Sequence, residues 1–120
     1  MKKITTYENA IANQVEDIRT EGINPTAFWA YRRSQKNGND LIDFNEVIWD
    51  ADVEHIAETF KKEGIDEFTI SSTFSGLIAT LAAFEKNGYR MDGITEVNAD
   101  YTDLITGERV RIPAIRMVRS

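Results

Sequence analysis

Two long extended segments near the C-terminal end constrain the fold more than any other feature of the sequence. Residues 94–103 and 108–118 are separated by only four residues, which end in Gly107. Glycine can take the positive φ that a short connection between antiparallel strands requires. Pro113 lies inside the second segment, and because proline donates no backbone hydrogen bond, it belongs at a sheet edge or a bulge. The sequence therefore predicts a β-hairpin that adds to a sheet.

The segment before the hairpin predicts a strand followed by a helix. Residues 67–71 alternate apolar and polar side chains, with Phe68 and Ile70 on one face. A helix follows, and Asn87-Gly88 ends it. Its apolar face is predicted to comprise Phe74, Leu77, Ile78, Leu81 and Phe84. Residues 65–98 therefore predict a βαβ unit.

The N-terminal half predicts three more helices. The first starts at Thr5, which has capping-box spacing to Glu8, and runs to Gly22. The second starts at Asn24-Pro25, because asparagine caps well and proline fits the first helical position. The third starts at Asp50 or Asp52 and ends at Gly64.

Residues 41–49 fit both a short strand and a helical turn, and we predict a short helix or an irregular segment. Trp29 and Trp49 are predicted to be core residues rather than interface residues, although Trp49, which precedes a helix cap, could be partly exposed. Together these elements predict an α+β fold with a small mixed sheet of about three strands, built from the βαβ unit and the hairpin, and about four helices.

Length and composition predict one domain over residues 1–120. The net charge of -6 disfavours direct nucleic-acid binding, which usually shows as clustered lysine and arginine. The absence of cysteine excludes disulfides, zinc–thiolate and iron–sulfur sites and thiol catalysis. No segment has the roughly 20 apolar residues that span a bilayer. We expect a cytoplasmic protein without a cofactor or a membrane contact.

Charge is distributed unevenly along the chain. Residues 40–67 contain ten acidic and two basic residues, a net charge of -8, and residues 108–119 carry +3. The acidic stretch lacks the ligand spacing of a calcium-binding loop, and a solvated face is the favoured interpretation over a metal site or an acidic binding surface. The opposite charges of the two segments could favour head-to-tail association.

The candidate site is the hydroxyl-rich turn between the predicted strand and its helix. Ser71, Ser72, Thr73 and Ser75, with the free N–H groups of a helix start, could bind an anion such as phosphate. The turn lacks the glycines and lysine of a phosphate-binding loop. Capping of the helix by Ser72 or Thr73 is the favoured alternative.

Two other groups could take part in such a site. Arg109 and Arg111 share a strand face and could hold an anion, although cross-strand pairing with Glu96, Asp100 or Asp103 is favoured. His55 is the only histidine, and the favoured interpretation is a solvated residue rather than a general base. We predict no catalytic residue and no metal ligand.

The chain resembles a family of short uncharacterised proteins from Gram-positive bacteria and their mobile elements. The resemblance covers about two thirds of the sequence and is carried by residues 44–50, 67–75, 81–85, 106–108 and 111–115. It implies family membership and no activity.

Two functional hypotheses follow. The first is a non-enzymatic binding or accessory protein that acts through a protein partner or as a homodimer. The second is a small anionic-ligand binder or enzyme that uses the Ser71–Ser75 turn.

Overall fold

A computed structural model describes residues 1–120 as an α+β fold with four α-helices and a mixed four-stranded sheet. The sheet order is β1-β2-β4-β3. Two 3-10 helices, Ile18–Glu21 and Asp50–Asp52, precede α2 and α3. The elements are α1 (Thr5–Ala12), α2 (Pro25–Lys36), β1 (Asp43–Phe44), α3 (Val53–Lys62), β2 (Glu67–Ile70), α4 (Leu77–Lys86), β3 (Tyr89–Thr102) and β4 (Arg109–Arg119).

The predicted hairpin is confirmed as β3 and β4, which pair antiparallel. β4 also pairs antiparallel with β2, so β4 lies between the two strands of the predicted βαβ unit and splits it. Pro113 lies beyond Ile115, the last β4 residue that pairs with β2. At that point β4 has a neighbour on one side only, so the missing N–H of proline is tolerated.

The fourth strand was not predicted. β1 contains only Asp43 and Phe44, which pair in parallel with Thr69 and Ile70 of β2. The prediction of a short helix is wrong here, whereas the rest of residues 41–49 is irregular, as expected. A two-residue strand forms because a distant strand offers it hydrogen bonds, and no local pattern encodes that pairing.

The helix starts follow the capping rules in α2 but not in α1. The Asn24 side chain accepts a hydrogen bond from the Ala27 N–H at 3.1 Å, and Pro25 is the first helical residue. In α1 the predicted capping box is wrong, because Ile4 occupies the cap position and Glu8 pairs with Lys3. α1 also ends at Ala12 rather than at Gly22, and a separate 3-10 helix follows.

Phe68 is the centre of the core. Its ring is fully buried and lies within 6 Å of four other aromatic rings, each from a different element. These rings belong to Phe44 of β1, Phe60 of α3, Phe84 of α4 and Tyr89 of β3. α3 and α4 therefore pack on the sheet face that carries Phe68.

Several large apolar side chains lie outside this core. The prediction that both tryptophans are core residues is wrong, because Trp29 is 51% exposed and Trp49 is 66% exposed. Trp29 lies edge-on against the ring of Phe28 with its centroid 5.2 Å away. On α4 the predicted apolar face is only partly correct, since Ile78 is 82% exposed. No helix is both long and apolar enough to cross a membrane.

We expect Phe68→Ala to lower the free energy of unfolding by about 3–5 kcal/mol, because it removes a ring that four elements share and leaves a cavity. Ile105→Ala is the matched control, since Ile105 is 95% exposed at the hairpin turn, and it should change stability by less than about 0.5 kcal/mol. Urea unfolding of both variants measures the difference. Equal effects would show that Phe68 is not the centre of the core.

Candidate functional site

The hydroxyl-rich turn does not cap the following helix. α4 begins at Leu77, and its cap residue is Gly76, which has no side chain to accept a hydrogen bond. The interpretation of Ser72 or Thr73 as the N-cap is therefore wrong. Thr73 and Ser75 are exposed, and the Ser72 hydroxyl is buried without a hydrogen-bond partner. The connection between β2 and α4 therefore runs from Ser71 to Gly76, which is longer than the capping pattern implied.

Ser71 instead binds a buried carboxylate that sequence reasoning did not single out. The Ser71 hydroxyl donates to Asp43 Oδ2 at 2.6 Å, and the Thr69 hydroxyl donates to Asp43 Oδ1 at 2.7 Å. The backbone N–H of Asp43 donates to Ser34 Oγ of α2 at 2.8 Å. Asp43 is only 4% exposed. We call these four residues, Ser34, Asp43, Thr69 and Ser71, the Asp43 cluster.

The parallel pairing of β1 and β2 places the cluster. Asp43 is the partner of Thr69 in the register, so the two side chains lie on the same face. Ser71 follows two residues later and reaches the other carboxylate oxygen. Phe44 and Phe68 face the opposite side, toward the aromatic core. One face of this short pairing is thus polar and the other is apolar.

Burial raises the pKa of Asp43, and the hydrogen bonds from Ser71 and Thr69 only partly oppose that rise. The Asp100 carboxylate raises the pKa further. No imidazole completes a serine–histidine–acid arrangement, because His55 Nε2 lies 3.1 Å from the Gly22 carbonyl oxygen on another part of the chain. The cluster has the bonding of a satisfied buried acid.

Asp100 of β3 is the centre of a second polar network close to the Asp43 cluster. Its carboxylate accepts hydrogen bonds from Asn37 Nδ2 at 2.5 Å and from Asn45 Nδ2 at 2.7 Å. Asn45 in turn accepts from the Arg33 guanidinium at 2.9 Å. A polar network therefore runs from α2 and the end of β1 to the outer strand of the sheet.

The two arginines of the predicted anion site bind backbone carbonyls of β3. Arg111 donates to the Glu96 carbonyl at 3.1 Å and to the Asn98 side chain, and Arg109 donates to the Asp100 carbonyl at 2.7 Å. The predicted partners were carboxylates, and neither arginine forms an ion pair. Both contacts join β4 to β3, but the predicted charge pairing with Glu96, Asp100 or Asp103 is wrong.

Asn39, in the loop after α2, binds β3 along the edge that faces away from β4. Its side chain accepts from the Asn98 N–H at 2.8 Å and donates to the Asn98 carbonyl at 3.1 Å. β3 has no strand neighbour on that side, so these bonds replace a ladder. Asn39 and the two arginines thus occupy the carbonyls of three alternate residues of β3, namely Glu96, Asn98 and Asp100. We call these contacts the edge contacts.

The residues of the predicted anion site are not joined to one another. No hydrogen bond connects the Ser71–Ser75 turn to Arg109 or Arg111, which lie on β4 beyond the part that pairs with β2. The nearest charge bonded to the turn is the Asp43 carboxylate, which is unfavourable for an anion. Anion binding at the turn stays a prediction.

The opposite charges of the middle and the end of the chain meet within the fold. Arg116 of β4 makes a bidentate contact with Glu67 of β2, at 2.9 and 3.3 Å, and a contact with Asp92 at 3.1 Å. Arg119 lies 3.7 Å from Asp66. The charge asymmetry along the sequence is therefore partly neutralised between neighbouring strands. No group of three or more acidic or histidine side chains is arranged to hold a metal ion.

The raised pKa of Asp43 predicts a pH dependence of stability. Because the folded state favours the protonated carboxyl, Asp43 stabilises the fold most at pH values below the ordinary value of 3.8 and loses that contribution as pH rises through the folded-state pKa. Wild type should therefore lose stability relative to Asp43→Asn as pH increases from about 3.5 to 7. Urea unfolding at several pH values measures this difference.

Asp40→Asn is the control for that experiment, because it removes an exposed carboxylate from the loop that precedes β1. The difference in free energy of unfolding between wild type and Asp40→Asn should depend on pH less than the difference between wild type and Asp43→Asn, or not at all. The assignment would be contradicted if the free energy of unfolding of wild type, relative to that of Asp43→Asn, stayed constant or rose as pH increases.

The anion-site prediction has a direct test in a titration with inorganic phosphate. If the turn binds an anion, the backbone amides of residues 72–77 should shift saturably in NMR spectra, and Ser72→Ala should weaken that response. Binding should strengthen as pH falls, because protonation of Asp43 removes the adjacent negative charge. Ser120→Ala, an exposed serine at the chain end, is the control. The absence of saturable shifts would exclude the site.

Comparison with known proteins identifies a family but no activity. A family model described as a domain of unknown function (DUF7698) matches residues 26–119, so the chain belongs to this family. The matched region starts at the first turn of α2 and includes the whole sheet. No curated protein and no solved structure shows a significant match.

Proposed function

We propose that this member of the DUF7698 family is a non-enzymatic binding or accessory protein that acts through protein contacts, with self-association as its simplest form. A cytoplasmic location is part of the proposal. The observation that carries it is an exposed apolar surface on α4 and on the adjacent part of β3. We define the α4–β3 surface by its three most exposed large side chains, which are Ile78, Met91 and Ile94.

α4 contributes an apolar residue on its solvent side. Phe84 and Thr80 face the core, whereas Ile78 is 82% exposed. Ala79 and Ala82 are also exposed, so the outer part of this helix has little polarity before Glu85. A surface helix of a monomer ordinarily turns charged and polar residues outward. This helix is suited to contact with another apolar surface.

β3 extends the surface on the same side of the sheet. Met91 is the partner of Met117 in the register and Ile94 is the partner of Ile115, and both partners face the core that α4 covers. α4 contacts β3, but Met91 remains 55% exposed and Ile94 68% exposed. Large apolar side chains that are exposed on adjacent elements are typical of interaction sites, whereas single scattered ones are ordinary.

The edge contacts favour binding through side chains over binding through an added strand. A free strand edge pairs with another chain through unoccupied N–H and C=O groups. In β3 the carbonyls of Glu96, Asn98 and Asp100 already accept hydrogen bonds from side chains of the same chain. We therefore assign the contact with a partner to the apolar side chains of the α4–β3 surface.

The bonding of the polar residues also supports a non-enzymatic role. The buried carboxylate of Asp43 accepts two hydroxyl hydrogen bonds, and the His55 ring contacts a backbone carbonyl. Arg109 and Arg111 are engaged by β3. Each of these side chains has a structural contact that accounts for its position.

Sedimentation equilibrium over a range of protein concentrations tests the proposal. We expect wild type to self-associate, and we expect Ile94→Asp and Ile78→Asp to weaken association by about tenfold or more each. The reason is that each removes an apolar side chain from the interface, and burial of such a side chain is worth about 1.5–3 kcal/mol.

Ile105→Asp is the matched control, since it introduces the same charge at an exposed isoleucine of the hairpin turn. It should leave association unchanged. If wild type is monomeric at every concentration, the immobilised chain should retain a protein partner that Ile94→Asp loses and Ile105→Asp keeps. A monomer that recovers no such partner would overturn the proposal.

A further inference from the structure

A polar cavity of about 280 Å³ lies between the N-terminal segment and α3. Half of its lining comes from residues that precede the region matched by the family model, and the other half comes from α3 and its C-terminal end. The lining includes Tyr7, Glu21, His55, Glu58, Lys62 and Glu63. The cavity is separate from both the Asp43 cluster and the α4–β3 surface.

The Tyr7 hydroxyl is the first observation that points to a ligand here. Tyr7 is 1% exposed, its ring packs edge-on against Phe28 and Tyr31, and its hydroxyl has no hydrogen-bond partner. A buried hydroxyl without a partner is unfavourable, and native structures leave few such groups. Burial raises the pKa of Tyr7 and the Glu63 carboxylate raises it further, so the phenol keeps its proton.

The charge of the lining is the second observation. Glu21, Glu58 and Glu63 contribute three carboxylates, and none of them forms an ion pair or a side-chain hydrogen bond within the chain. Lys62 is the only lysine or arginine of the lining. The His55 ring is held by the Gly22 carbonyl, which ties α3 to the N-terminal segment. The cavity is therefore net negative and unneutralised.

We propose that this cavity binds a small organic cation. Its ammonium group donates a hydrogen bond to the Tyr7 hydroxyl oxygen and is neutralised by Glu21, Glu58 and Glu63 of the lining. A metal ion fits less well, because divalent cations need several oxygen ligands at once and the acidic side chains form no such group. The volume lies just below the range of pockets that hold drug-sized ligands, so it suits a small ligand.

Isothermal titration calorimetry with putrescine at constant ionic strength tests the site. We expect saturable binding to wild type and a loss of affinity of about tenfold in Tyr7→Phe, which keeps the buried ring and removes only the hydroxyl. Glu63→Gln should weaken binding to a similar extent. Glu85→Gln, which removes an exposed carboxylate on α4, is the matched control and should bind as wild type does.

The neutral isostere 1,4-butanediol separates recognition of charge from filling of the cavity. It should not bind, and thermal unfolding of Tyr7→Phe should show that the variant is folded. Absence of saturable putrescine binding would overturn the proposal. Equal affinity in wild type and Tyr7→Phe would also overturn it, since the ligand would then not use the Tyr7 hydroxyl. Neither outcome bears on self-association, which Ile94→Asp tests separately.

Discussion

The packing of Phe68 is the constraint on which the rest of the structure depends. β2 has only four residues, yet Phe68 contacts aromatic rings from β1, α3, α4 and β3. Edge-on and tilted aromatic contacts of this kind add to the stabilisation that burial of area provides. β1, α3, α4 and the hairpin therefore share one apolar centre, and each is oriented by its contact with the same ring.

The opposite face of β2 has a polar counterpart. Thr69 and Ser71 hold Asp43, and beside them a separate hydrogen bond joins Asn45, which follows β1, to Asp100 of the hairpin. Burial of a carboxylate is unfavourable unless hydrogen bonds compensate it, so these residues depend on one another. The two-residue strand β1 has few backbone hydrogen bonds of its own. It is held by the ring contact of Phe44 on one face and by the hydroxyl contacts of Asp43 on the other.

Local signals predicted the elements that local interactions determine. The start of α2, the strand at β2 and the hairpin followed from capping, alternation and turn chemistry, and the structure contains all of them. β1 could not be predicted in this way, because its partner lies 26 residues further along the chain.

The same limit applied to the candidate site. Ser71 was singled out by its hydroxyl-rich neighbourhood, but its partner Asp43 is 28 residues away in the sequence. One local signal was present: Asp43 stands between Ile42 and Phe44, two apolar residues, and all three are buried. The exposures of Trp29 and Ile78 depend on which surface neighbouring elements leave uncovered, and residue type does not encode that.

The edge contacts have a consequence for the solubility of the chain. They come from two regions, the loop at Asn39 and the strand at Arg109 and Arg111, and none of these side chains lies in the aromatic core. Their loss would leave the packing around Phe68 intact while exposing carbonyls that template intermolecular sheet growth. Damage at these positions would therefore favour precipitation of the folded protein, beyond any change in its unfolding temperature.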